Sequence, residues 1–193
     1  MGNVVDQEQF LASLLTDFPG ALVIDRRENP SHGYRAVHII AEISGKPIEI
    51  QLRTSLQHLW AEVSEKSSDV LDPTIKYGGG PESWRVFLTR SSASVAAYEE
   101  LEKKHSMAIA SKQVADAAHE AFENAVGELT ERQVPDHEAQ ALQRRLEESA
   151  RKMERREEKD RQMRRELVRL LRVNTDLLNG AISRLNELKR QKE

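Results

Sequence analysis

The side chains with the most chemical capacity lie between Arg27 and Glu62. Tyr34, Ala36 and His38 alternate, and Glu49, Gln51 and Arg53 alternate in a second run. Period two puts each trio on one face of a strand. A core-facing strand does not normally carry Glu, Gln and Arg at three consecutive same-face positions. That face is either solvated, as one face of an antiparallel sheet often is, or it lines a polar site. The residue types suit a nucleotide. A tyrosine ring can stack on a base, a contact worth roughly 1–3 kcal/mol. An arginine fork can pair with phosphate. A glutamate can act as base toward a hydroxyl, or share Mg2+ with phosphate oxygens. His38 could bond phosphate or ribose, although a lone strand histidine is more often structural.

The elements that must hold these residues follow from local pattern. Phe10, Leu11, Leu14 and Leu15 predict one face of a short helix over 6–16, ended by Pro19-Gly20. Ala21 to Asp25 suits a strand, and Arg26 to Gly33 a loop. Tyr34–Ile43 and Pro47–Arg53 alternate and are rich in Val and Ile, so with Ser44-Gly45-Lys46 between them they predict a β-hairpin. At Thr54 the period changes to three and four through Leu56, Leu59, Trp60 and Val63, with Thr54 or Ser55 as N-cap. Asp72-Pro73 and Gly78-Gly79-Gly80-Pro81 mark a loop. It is not a phosphate-binding P-loop, because no Gly-Lys-Ser/Thr follows. Helix is expected over 82–104 and again over 107–132, with a break at Pro135. Trp60 and Trp84 read as core anchors, and His105, His119 and His137 lack metal-ligand spacing.

Ser31-His32-Gly33-Tyr34-Arg35-Ala36-Val37-His38, Pro47-Ile48-Glu49-Ile50-Gln51-Leu52-Arg53-Thr54 and Gln57-His58-Leu59-Trp60-Ala61-Glu62 resemble, in order and spacing, the RelA/SpoT synthetase family. The likeness extends more loosely from about Asp17 to Lys104. It implies transfer of pyrophosphate from ATP to the ribose 3′-hydroxyl of GDP or GTP, the reaction of guanosine tetraphosphate (ppGpp) metabolism. It implies that Tyr34 stacks on guanine, that Glu49 orients or deprotonates the hydroxyl and helps hold Mg2+, and that His38, Gln51 and Arg53 surround the acceptor nucleotide. His58 and Glu62 would close the site, and Arg27 could add positive charge. The family's donor half, an Arg-x-Lys strand and an Asp-x-x-Gly-x-Arg strand, has no counterpart in residues 1–33. The expectation is an acceptor half only, with ATP used only where a donor half is supplied elsewhere. This chain alone is then expected to be inactive or very weak. The alternative is an inactive guanine-nucleotide-binding or assembly module.

Composition bounds the rest. The chain has 193 residues, 38% apolar and 32% charged, with 5% aromatic and no cysteine. That suits a small α+β domain with a short, mostly antiparallel sheet packed by helices, followed by a long helical extension. Disulfides and thiolate metal sites are excluded. A polar N-terminus and the lack of an 18-residue apolar run argue against a signal peptide or a membrane span, and a cytoplasmic location fits. The net charge of −3 divides into −8 over 1–137 and +5 over 138–193. The acidic front is a poor polyanion binder, so no specific nucleic acid is expected. The expected division is 1–104, 105–134 and 138–193. In the last segment Leu167, Asn174, Ala181 and Leu188 fall at heptad a, and Met163, Leu170, Leu177 and Arg184 at d. This fits a coiled coil and a homo-oligomer. Leu171, Leu178, Ile182 and Leu185 widen the stripe and fit a helix packed on its own domain instead.

Overall fold

The computed structural model describes residues 2–131 and 135–192. The order is helix α1 (Val4–Asp17), strands β1 (Leu22–Asp25), β2 (Val37–Ile43) and β3 (Lys46–Leu52), helix α2 (Ser55–Val70), a 3₁₀ turn (Ile75–Tyr77), and helices α3 (Glu82–Glu131) and α4 (Asp136–Arg190). The fold is α+β. The three strands form one antiparallel sheet in the order β1-β2-β3. No helix among the described residues is long and apolar enough to cross a membrane.

Turn and cap chemistry set the boundaries. Ile43 pairs with Lys46 across Ser44-Gly45, both at positive φ of 52° and 73°. That is the two-residue primed turn whose twist matches a hairpin. Asn3 caps α1 by accepting from Asp6 N at 2.7 Å. Thr54 caps α2 in a reciprocal box with Gln57, satisfying two amides that the helix leaves unbonded. The helical reading of 107–132 reaches beyond the described residues at 132, and its connector likewise at 132–134.

The chain divides into two compact units, residues 1–103 with 167–193, and residues 104–166. The expected division had put all of 138–193 apart. In the first unit Val37, Ile39 and Leu52 pack under α1 through Leu11 and Leu14. Phe10, expected beside them, is 48% exposed. A second core joins Leu56, Trp60 and Val63 of α2 to Leu88 and Val95 of α3, and to Leu178 and Leu185 of α4.

The heptad frame is displaced within this unit. Leu177 and Arg184, assigned to d, face outward, while Leu178 and Leu185 are fully buried one position later. Asn174 is buried as expected of an a position. Its Nδ2 donates to Leu170 O of its own helix at 2.9 Å and, more weakly, to Ser94 O of α3 at 3.5 Å. Of the wider stripe, Leu178, Ile182 and Leu185 pack into this core, whereas Leu171 is 41% exposed. In the second unit, two helical segments run antiparallel: His105 meets Asp160, Lys112 meets Glu157, and His119 meets Ser149.

Candidate functional site

Alternation separates the two faces of the sheet. Opposed residues share a face, and the register opposes His38 to Gln51 and Ile40 to Glu49. His38, Glu49 and Gln51 therefore occupy the face away from α1, while Val37, Ile39 and Leu52 occupy the face beneath it. Of the predicted trio, Glu49 and Gln51 lie on this face, whereas Arg53 follows the end of β3; the strand expected from Tyr34 begins only at Val37, so of Tyr34, Ala36 and His38 only His38 is a strand residue.

The polar side chains bond to one another. His38 Nδ1 lies 2.5 Å from Glu49 Oε1. Gln51 Nε2 donates to Glu49 Oε2 at 3.4 Å, and Arg53 Nη2 donates to Gln51 Oε1 at 2.7 Å. Arg53 closes the ring by donating from Nε and Nη2 to the Tyr34 hydroxyl at 3.2 and 2.8 Å. The Tyr34 and His38 rings meet edge to face with centroids 5.6 Å apart. Beside this ring, Gln51, Arg53, Thr54, Ser55, His58 and Leu59 line an open groove of about 650 Å3. Glu62 pairs with Lys66 at 3.7 Å and does not line it.

Electrostatics assign different capacities to the members. The bond from His38, with help from Gln51, holds the Glu49 carboxyl below the usual range. Glu49 is therefore ionised at neutral pH and is a weak base, suited to accepting a hydrogen bond from a hydroxyl or to meeting a cation. His38 has a side chain only 14% exposed, and its Nε2 is buried without a polar partner. A direct nucleotide contact from His38, expected above, does not fit this geometry. What His38 does is hold Glu49.

Arg27 is not brought to this face. Asp25, which its side chain grips, opposes Val37 on the α1 side. Arg27 bonds Asp25 through Nε and Nη2, the latter at 2.6 Å, and donates from Nη1 to Gln7 Oε1 of α1 at 3.1 Å. Its capacity for hydrogen bonds is used in joining the β1 end to α1, so it is not available as an acceptor-site cation.

The Mg2+ implied by the resemblance has one expected carboxylate in this chain, Glu49. Among the described residues no group of three or more His, Asp or Glu side chains forms a protein cage. Glu49, half exposed, fits the kind of Mg2+ that is held chiefly by phosphate oxygens and water with one protein carboxylate.

Sequence reasoning missed Glu99. It sits in a charged helical stretch, Glu99-Glu100-Leu101-Glu102, that reads as a solvated face, yet it is 3% exposed. No local signal marks it. Its partners come from residues 35, 54 and 57.

No family model matches the chain, and no solved structure matches it. Over 82 residues, 41% of this chain, it is 37% identical to uncharacterized proteins of Mycobacterium bovis and of two Mycobacterium tuberculosis strains. That stretch is 30% of each relative, so the chain spans under a third of the length of the curated relatives it matches.

Proposed function

We propose that the open sheet face and the start of α2 form the acceptor-nucleotide half of a RelA/SpoT-type synthetase site, taking GDP or GTP. The observation that supports this reading most is convergence. Tyr34, Glu49, Gln51, Arg53 and His58 come from three separated motifs, and four of them form one hydrogen-bonded chain beside a groove that Gln51, Arg53 and His58 line.

In this reading the Tyr34 ring stacks on guanine. Arg53 and His58 meet the phosphates from the groove wall, with Arg53 steered by Gln51. Glu49, held by His38, accepts a hydrogen bond from the ribose 3′-hydroxyl and orients its oxygen for in-line attack. In the reaction the 3′-oxygen forms a bond to the β-phosphorus of ATP. The bond from that phosphorus to the bridging oxygen breaks, AMP leaves with that oxygen, and the hydroxyl proton passes to Glu49 or to water. Mg2+, when bound with the nucleotides, neutralises phosphate charge; Glu49 is the residue of this site that would help hold it.

Residues 1–33 carry neither the Arg-x-Lys nor the Asp-x-x-Gly-x-Arg strand, so the donor-site cations that the resemblance calls for to stabilise a transferring phosphoryl group are not found there. Incubated alone with ATP, GDP and Mg2+, this chain is expected to give no detectable ppGpp. The acceptor half is tested by equilibrium dialysis against GDP, GTP and CDP. Saturable binding of both guanine nucleotides and not of CDP is expected. Equal uptake of all three, or of none, would remove the reading.

A further inference from the structure

One buried charge touches the supports of both Tyr34 and Arg53. Glu99 lies on α3 with its side chain 4% exposed. Its Oε2 accepts from Arg35 Nε and Nη2 at 3.2 and 2.9 Å. Its Oε1 accepts from Gln57 Nε2 at 2.6 Å and from Thr54 Oγ1 at 3.3 Å. Arg35 is the chain neighbour of Tyr34, and Thr54 is the chain neighbour of Arg53.

The same face of α3 holds the other side of Tyr34. Ser92, two turns before Glu99, donates from Oγ to Gly33 O at 2.6 Å. Gly33 sits at φ +93°, and a Cβ there would lie 2.8 Å from the Trp60 ring. Only glycine lets the chain pass at this height, and Ser92 fixes its carbonyl. Arg35 Nη1 also donates to Arg27 O at 2.7 Å, so the loop before the Gly-Tyr pair is tied into the same assembly.

Burying a carboxylate and a guanidinium together is a poor way to gain stability, since well-packed apolar residues of similar volume often do as well or better. What four directed bonds on one carboxylate supply is geometry. We propose that Glu99, assisted by Ser92, is a positioning residue of the nucleotide site: α3 sets the relative placement of Tyr34 and Arg53 by holding the residues next to each. The inference rests on the reading of Tyr34 and Arg53 as nucleotide contacts.

The test follows anisotropy of a fluorescent GDP analogue with wild type, Glu99→Gln and Ser92→Ala, each also in a Tyr34→Leu background, with circular dichroism reporting the folded fraction. Affinity of the folded protein is expected to fall about tenfold in Glu99→Gln and about threefold in Ser92→Ala, in line with the sensitivity of sites to supporting hydrogen bonds. In the Tyr34→Leu background the Ser92→Ala effect is expected to shrink below about twofold, because the group it positions is gone, and the Glu99→Gln effect to about threefold, because only its hold on Arg53 through Thr54 remains. Unchanged affinity in folded variants, or equal losses in both backgrounds, would overturn the inference while leaving the acceptor site standing. No binding by wild type would remove both. Should Glu99→Gln fail to fold, Ser92→Ala and Glu99→Asp decide by the same criteria.

Discussion

The two faces of the three-stranded sheet are made from alternate residues of the same strands, yet they do opposite things. Beneath α1, Val37, Ile39 and Leu52 are sealed from water, and Arg27 and Asp25 are tied to the helix at the rim. On the other face, His38, Glu49 and Gln51 form a bonded polar ring with Arg53 just past β3 and Tyr34 just before β2, with an open groove beside it. The comparison separates the face that stabilises the fold from the face proposed to bind a nucleotide. One face supplies burial, about 25 cal/mol for each Å2 of apolar surface removed from water. The other adds little burial and presents directed polar groups. The two arginines express the same division: Arg27 is spent on structure, Arg53 on the ring.

Substitutions should separate the faces, and the largest effect belongs to the sealed one. Ile39→Ala is expected to lower stability by about 2–5 kcal/mol, read by urea unfolding, whereas Gln51→Ala should change it by no more than about 0.5 kcal/mol. A large loss from Gln51→Ala would mean that the open face is structural too. Next comes Arg27→Ala, expected to cost about 1–3 kcal/mol by leaving Asp25 and Gln7 without their partner, with GDP affinity unchanged. Arg53→Ala should do the reverse, weakening GDP binding about tenfold with a small change in melting.

The smallest effect is in acid. Burial pushes the Asp25 carboxyl up, but the bonds and charge of Arg27 outweigh it and leave the group below its ordinary value. A carboxyl depressed in the folded state stabilises the fold above its unfolded pKa and loses that contribution as pH falls through the folded value. Wild type should therefore lose melting temperature below about pH 4 more steeply than Arg27→Ala does. Parallel curves would show that the pair contributes nothing to the rim.

Much of this was legible in the sequence, for definite reasons. The hairpin announced itself by alternation on either side of Ser44-Gly45-Lys46, and α2 by the change of period at Thr54, because these are local signals. Glu49 and Gln51 on one face of β3 were legible because period two leaves no choice of face; that the strand stops before Arg53 was not. Three other features were not legible. Arg27 looks like any loop arginine until Asp25 and Gln7 are brought to it. The buried stripe of α4 runs through Leu178 and Leu185 rather than Leu177 and Arg184, since which edge of a wide apolar stripe turns inward is decided by the neighbouring helix. Glu99 was hidden because its partners lie more than 40 positions away.

The central claim, that the open face receives a guanine nucleotide through Tyr34, is tested most directly by calorimetric titration of GDP into wild type and Tyr34→Ala under identical conditions. The account predicts saturable heat with wild type and affinity at least about tenfold weaker with Tyr34→Ala, as loss of base stacking requires. No heat with wild type, or the same isotherm for both proteins, would contradict it.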